Sequence, residues 1–215
     1  MAKVILFQGD SITDADRCKT NDFNSGCGYA TYIKAQLGFD YPGKYVFYNR
    51  GVSGNRVIDM YARIVNDTLN LKPDYMSILI GVNDIWHGID WANGTGLERY
   101  EKVYNMFIEE VKAELPDIKI MILEPFVLRA SATDNTPEQP DRFEKFRTGV
   151  GEMAKAARRV AQKHGLVFVE LQDKFDKACE LEEPSYWLAD GVHPTAMGYE
   201  LMKREWLKAF AEISE

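Results

Sequence analysis

Cysteine and histidine are scarce in this chain of 215 residues, with three of each. Cys18, Cys27 and Cys179 are odd in number and have no CxxC spacing. That argues against a disulfide framework and makes free thiols the expectation, with a Cys18–Cys27 bridge as the alternative. Basic charge is also short: 26 Lys and Arg against 33 Asp and Glu leave a net charge of -7. An acidic chain has no general affinity for nucleic acid or other polyanions, so neither is an expected partner. No stretch approaches the ~18 apolar residues of a membrane span, and no membrane partner is expected. The start, Met1 to Asp10, runs straight into a candidate strand without the apolar core and small-residue cleavage site of a signal peptide. A cytoplasmic location is the expectation.

What is present is a globular composition, 46% hydrophobic and 27% charged, in a length that suits one domain spanning residues 1–215. Five short apolar runs read as buried strands: Val4–Phe7, Tyr45–Tyr48, Tyr75–Ile80, Lys119–Leu123 and Leu166–Val169. They are continuous rather than alternating, which suits a parallel sheet covered on both faces. Between them the sequence predicts helices over Gly28–Leu37, Asn55–Val65, Leu97–Glu114 and Pro137–His164, the last with Thr136 as N-cap and Gly165 as its stop. A final helix follows Thr195, where Tyr199, Met202, Trp206, Ala209, Phe210 and Ile213 form a core-facing stripe. Strict alternation predicts a three-layer αβα sandwich on a flavodoxin-like five-stranded parallel sheet with right-handed crossovers. Ligands of such folds collect at the carboxyl ends of the strands.

Four blocks fall at those ends: Gly9-Asp10-Ser11, Gly51-Val52-Ser53-Gly54-Asn55, Gly81-Val82-Asn83-Asp84 and Asp190-Gly191-Val192-His193. A hydroxyl that attacks an acyl carbon needs a base, a group orienting that base, and donors for the oxyanion. Ser11 after the first strand is a candidate nucleophile, although a Gly-Asp-Ser turn is equally compatible with a loop in which Ser11 caps the next helix. Asp190 and His193 are more informative. Three-residue spacing in a loop brings a carboxylate and an imidazole to one side of a turn, and Pro194 confines His193 to an extended backbone. His87 is the one rival base, since His164 ends a helix where its charge would suit the dipole. Asn83 is either a turn residue or a side-chain oxyanion donor, with the backbone N–H groups of Gly54 and Ser11 as its companions.

These blocks resemble those of the SGNH subgroup of GDSL hydrolases. Ser11, Gly54, Asn83 and His193 match its four signature positions, with Asp190 as third triad member. The resemblance runs over essentially the whole chain and implies a serine esterase without metal or organic cofactor. The G-x-S-x-G elbow of the larger esterase fold is absent. Asn49 to Arg56 together with Gly81 to Trp86 resemble the intracellular acetylxylan esterases, which implies removal of O-acetyl groups from xylo-oligosaccharide-like carbohydrate and a homo-oligomer. Tyr41, Tyr45 and Trp206 are candidate subunit contacts. For the substrate side we expect Asp10, Asn55, Trp86, His87, Trp91 and Phe126, whose aromatic rings with polar edges suit sugar faces better than lipid; packing within the loop is the competing role for Trp86 and Trp91. The polar stretch Arg129 to Pro140 reads as a rim loop.

Three other readings compete. Asp10, Asp14 and Asp16 after the first strand could hold a hard cation for phosphoryl chemistry, but no lysine or phosphate-cradling glycine loop accompanies them. A thioesterase or lysophospholipase would use the same site with a longer acyl chain. A non-catalytic relative would not need a complete triad.

Overall fold

The computed structural model describes residues 2–214. Its order is β1 (Lys3–Gly9), α1 (Ser11–Asp14), α2 (Tyr29–Asp40), β2 (Tyr45–Gly51), α3 (Val57–Ala62), α4 (Ile64–Asp67), β3 (Tyr75–Leu79), α5 (Val82–Trp91) and α6 (Leu97–Glu114). Then come β4 (Lys119–Leu123), α7 (Arg142–His164), β5 (Val167–Val169), α8 (Gln172–Ala178), α9 (Pro184–Trp187) and α10 (Ala196–Ile213). The five strands are all parallel, in the order β2-β1-β3-β4-β5, the flavodoxin-like arrangement expected.

Pleating sends successive strand residues to opposite faces, which is why the strands are apolar throughout. Ile5 and Phe7 of β1 join Leu79, Met121 and Val169 in a core covered by α2 and α10. Leu6 joins Met76, Ile78, Ile120 and Ile122 under α3, α6 and α7. The stripe of α10 packs into the first core, with Trp206 fully buried and stacked on Phe210 at 4.7 Å. Trp206 is therefore no subunit contact, whereas Tyr41 is 48% exposed.

Several boundaries differ from expectation for identifiable reasons. Thr136 closes a turn with Gln139, each backbone N–H donating to the other's carbonyl at 3.1 Å. The helix therefore starts only at Arg142, with Asp141 as N-cap. The stretch after Asn55 enters its helix at Val57, because the Asp59 carboxylate accepts the Arg56 N–H at 2.9 Å, and it breaks at Arg63. His164 ends α7 as expected, but burial lowers its pKa and so works against the charge the dipole would favour; Nε2 lies 2.8 Å from Asn105 Oδ1. Cys18, Cys27 and Cys179 are free. Among the described residues no helix is long and apolar enough to cross a membrane.

Register positions the site. Gly9 at the end of β1 pairs with Gly51 of β2 on one side and Leu79 of β3 on the other. The segments leaving these three strands carry Ser11, Gly54 and Asn83 from one edge of the sheet.

Candidate active site

Ser11 is the first residue of the single-turn helix α1, and Asp10 rather than Ser11 caps it, its Oδ1 accepting the Ile12 N–H at 3.0 Å. The serine hydroxyl is thereby left for another partner. Ser11 Oγ lies 2.8 Å from His193 Nε2, and His193 Nδ1 lies 2.7 Å from Asp190 Oδ2. The other carboxylate oxygen of Asp190 accepts two backbone N–H groups, from Val192 at 2.9 Å and His193 at 2.8 Å. A hydroxyl on one imidazole nitrogen and a doubly anchored carboxylate on the other is an arrangement in which the imidazole can take the hydroxyl proton as the oxygen attacks.

The loop carrying Asp190 and His193 is fastened to the rim loop. Leu128 N–H donates to Gly191 O and Ala132 N–H to Asp190 O, both at 2.9 Å. Gly191 has φ of +98°, and a Cβ there would stand 2.4 Å from Thr133 Oγ1 and 2.6 Å from Leu128 O. Only glycine fits this crossing.

The electrostatics separate the three titrating groups. Burial pushes the Asp190 carboxyl up, but the hydrogen bonds from His193 and Val192 outweigh it and bring the pKa down to about 2. The bond from Asp190 raises His193 above its ordinary value, against the opposing effect of burial. Asp10 is fully buried, and burial pushes its carboxyl up to about 7 despite the Ile12 N–H and the nearby His193.

Three side chains fix the segments that carry the candidate oxyanion donors. Asp14 Oδ2 accepts the Ser53 N–H at 3.0 Å and its hydroxyl at 2.9 Å, which holds the turn at Gly54, φ +79°. Asp84 Oδ1 and Oδ2 share the Val57 N–H at 3.2 Å, on the far side of the same loop. Arg63 donates to Gly9 O at 3.0 Å, Arg50 O at 2.7 Å and Asn55 Oδ1 at 2.7 Å, tying the ends of β1 and β2 to that loop. Asn83 Nδ2 reaches Asn55 O at 3.2 Å, which brings the carboxamide beside the residue that follows Gly54. Among the described residues, the Ser11 and Gly54 N–H groups donate to no protein acceptor. Sequence reasoning weighed Asp14 only as a metal ligand and passed over Asp84 and Arg63; an acid directly after Asn83, and another at the end of the Ser11 turn, were the available signals. Asp14 is spent on Ser53, and no cluster of three or more His, Cys, Asp or Glu suited to a metal occurs among the described residues.

The expected substrate residues divide. Asn83 and Trp86 lie on α5, a helix the sequence reading did not predict, and three-residue spacing puts them on one helix face. The Trp86 ring sits 6.1 Å from the His193 ring. His87 and Trp91, four residues apart, pack edge to face on each other at 4.9 Å, and it is His193, not His87, that meets the Ser11 hydroxyl. Phe126 is fully buried against Phe175 at 4.5 Å and cannot touch substrate. Asp10 is likewise sealed in the interior. Asn55 uses its carboxamide on Arg63 and its carbonyl on Asn83, so it shapes the loop. A groove of about 730 Å³ lined by Tyr32, Leu181, Trp187 and Met197 contains none of the triad-like residues; hydrogen-bond geometry, not concavity, marks the site.

The class is that of the carboxylic ester hydrolases, and the chain belongs to the GDSL-like lipase/acylhydrolase family, whose model matches residues 7–201. An acetylxylan esterase from Geobacillus stearothermophilus is 29% identical over 214 residues, 95% of this chain and 92% of its own. Its crystal structure aligns with a TM-score of 0.82 at 28% identity, covering 99% of this chain and 94% of that one. A putative GDSL-like lipase from Parabacteroides merdae aligns with a TM-score of 0.88 at 36% identity, covering 98% and 97%. A hydrolase from the metagenome of Lake Arreo, Spain, aligns at 0.85 and 29% identity, covering 100% and 99%.

Proposed function

We propose that this protein removes O-acetyl groups from carbohydrate, with Ser11 as nucleophile, His193 as general base and acid, and Asp190 orienting His193. Ser11 Oγ attacks the acetyl carbonyl while His193 Nε2 takes its proton. The tetrahedral oxyanion is met by the N–H groups of Ser11 and Gly54 and by Asn83 Nδ2. The C–O bond to the sugar then breaks, and His193 returns the proton to the departing hydroxyl. Water, deprotonated by His193, attacks the acetyl-serine and releases acetate. No metal or organic cofactor enters these steps.

The observation that carries the reading is the unbroken line of bonds from Ser11 through His193 to Asp190 at 2.8 and 2.7 Å. Structures of the Geobacillus acetylxylan esterase include forms described as catalytic mutants in which a serine, an aspartate or a histidine is changed to alanine; the same three residue types meet here. Carbohydrate is favoured over a long acyl chain by Trp86 beside His193, where the alcohol must leave. The test is acetate release from peracetylated xylose and acetylated xylo-oligosaccharides beside octanoyl and thioester substrates, with Ser11→Ala as control. Fast deacetylation, reduced on the order of 10⁶-fold in the variant, is the expected result. Preference for octanoyl or thioester substrates overturns the carbohydrate assignment, and a fully active Ser11→Ala overturns the mechanism.

A further inference from the structure

The side of the site that receives the leaving alcohol is set by proton return. His193 Nε2 must deliver its proton to the departing oxygen, so the body of the alcohol lies against the imidazole rather than deep behind Ser11. The aromatic side chain there is Trp86, 6.1 Å from the His193 ring and inclined to it by 48°.

Trp86 is held from two directions. Its ring meets Phe146 edge to face at 5.6 Å. Its Nε1–H donates to Asp90 Oδ2 at 2.7 Å, one turn further along α5. Asp90 stands in the last turn of α5, where the helix dipole disfavours negative charge, and Arg142 compensates. The Arg142 fork grips both oxygens of Asp90, lies over the Phe146 ring, and donates from Nε to Ala132 O at 2.8 Å and from Nη1 to Gln139 Oε1 at 2.5 Å. Arg142 is only 8% exposed, while Asp90 lies at the surface with its carboxylate turned onto the guanidinium. By contrast the indole nitrogens of Trp187 and Trp206 are buried with no partner among the described residues. Beside His193 the indole N–H has an acceptor, and an ion pair stands behind that acceptor.

We propose that Asp90 and Arg142 are positioning residues that hold Trp86 as a fixed platform for the leaving alcohol, and so set which acetyl esters the enzyme accepts. The assignment rests on the acyl-transfer scheme above, with a sugar as the alcohol. A planar guanidinium that binds a carboxylate through two nitrogens and stacks on a ring cannot be replaced by lysine without loosening the indole. Arg142 has a second arm through Ala132, whose N–H donates to Asp190 O at 2.9 Å; Asp90 acts only on the Trp86 side. The two positions are therefore separable by experiment.

The test compares the full chain with Asp90→Asn, Trp86→Phe and the double variant on acetylated xylosides, benzyl acetate and ethyl acetate, recording kcat, KM and Tm. Asp90→Asn is expected to raise KM for the sugar acetates by about 5- to 30-fold, the range for loosening one charge-supported hydrogen bond. Its kcat/KM on ethyl acetate, whose alcohol is too small to use the platform, should change by less than about 2-fold. Trp86→Phe puts a smaller phenyl ring in place of the indole and removes the N–H, and adding Asp90→Asn to it should cost less than about 2-fold more, because both cut the same link. Equal losses on ethyl and sugar acetates, additive losses in the double variant, or unchanged KM overturn the proposal. A wild-type enzyme active on benzyl acetate but on no sugar acetate refutes the carbohydrate reading alone. Asp90→Asn must then discriminate benzyl from ethyl acetate in the same way, or the platform is overturned too.

Discussion

Replacing Asp190 by asparagine tests the geometry most directly, because the structure dictates how the new side chain must sit. Asp190 Oδ1 accepts the N–H groups of Val192 and His193 at 2.9 and 2.8 Å. In Asp190→Asn the oxygen has to stay on those two donors, which turns the NH₂ toward His193 Nδ1. Two donors cannot face each other, so the imidazole is forced into the tautomer with its proton on Nε2. That proton then points at Ser11 Oγ and His193 can no longer act as base. The expected loss in kcat is roughly 10⁴-fold. Stability changes far less. The Asp190 pKa falls from 3.8 to about 2, worth at most about 2.5 kcal/mol, and screening of a half-buried carboxylate reduces this to about 1 kcal/mol. Because the folded pKa is depressed, that contribution is present at neutral pH and is lost only as pH falls through 3.8 toward about 2. The variant should therefore melt only about 2–4 °C lower near pH 7. The assay is acetate release under saturating 4-nitrophenyl acetate beside a thermal melt. A loss in kcat below about 10-fold in a folded variant would refute the role given to Asp190.

Asn83→Ala should lower kcat by about 10²- to 10³-fold with little change in Tm, as removal of one oxyanion donor does; a milder effect in a steady-state assay assigns Asn83 to loop support through Asn55. Gly191→Ala has to push the rim loop away from Thr133 Oγ1 and Leu128 O, and urea unfolding should show a loss of about 2–4 kcal/mol from strain and overpacking. An unchanged midpoint would mean that the crossing yields freely. In pH profiles of kcat/KM the acid limb should lie above the ordinary histidine pKa of about 6.5, because the bond to Asp190 raises His193. The folded protein should also melt higher near pH 5–6 than at pH 8–9. Burial raises Asp10 and Asp84 to about 7, and an acid whose folded pKa is raised loses stability as pH rises toward that value. Raised His193 acts in the same direction, and Asp10→Asn should flatten the slope measured by differential scanning calorimetry.

Elements written by local periodicity were legible in the sequence to the residue. Lys119–Leu123 is an apolar strand bounded by charge, and Leu97–Glu114 is an amphipathic run ended ahead of Pro116; both match β4 and α6. α5 was missed because its first turn carries turn-like chemistry. Gly81-Val82-Asn83-Asp84 reads as a loop because Gly, Asn and Asp favour turns, yet the same residues suit a helix start, where unpaired N–H groups and the positive dipole end welcome them. Losing α5 also lost its faces, so Trp86 and Trp91 were grouped together although five residues on a helix separate them by more than a third of a turn. Phe126 was misjudged for a different reason. Its place after β4 is correct, but its direction is decided by Phe175, a contact no local pattern encodes.

The site has two mechanically different halves, and this explains which part of it the sequence could carry. Ser11, Gly54 and Asn83 leave adjacent strands of one sheet, and three internal ties, Asp14 to Ser53, Asp84 to Val57 and Arg63 to Gly9, bind them to one another. That half is local to strand ends, so short blocks announce it. His193 and Asp190 are held mainly by the rim loop, through Leu128, Ala132 and the close crossing at Gly191. The rim loop in turn hangs on Arg142, which also governs Trp86 through Asp90. Disturbing the loop should therefore move the base and the alcohol platform together while leaving the oxyanion donors in place. Loop variants would lose rate and alcohol selectivity together while still binding an acetate-derived transition-state mimic at the donors. Variants of Asp14 or Asp84 would lose the binding of that mimic and keep their preference among alcohols.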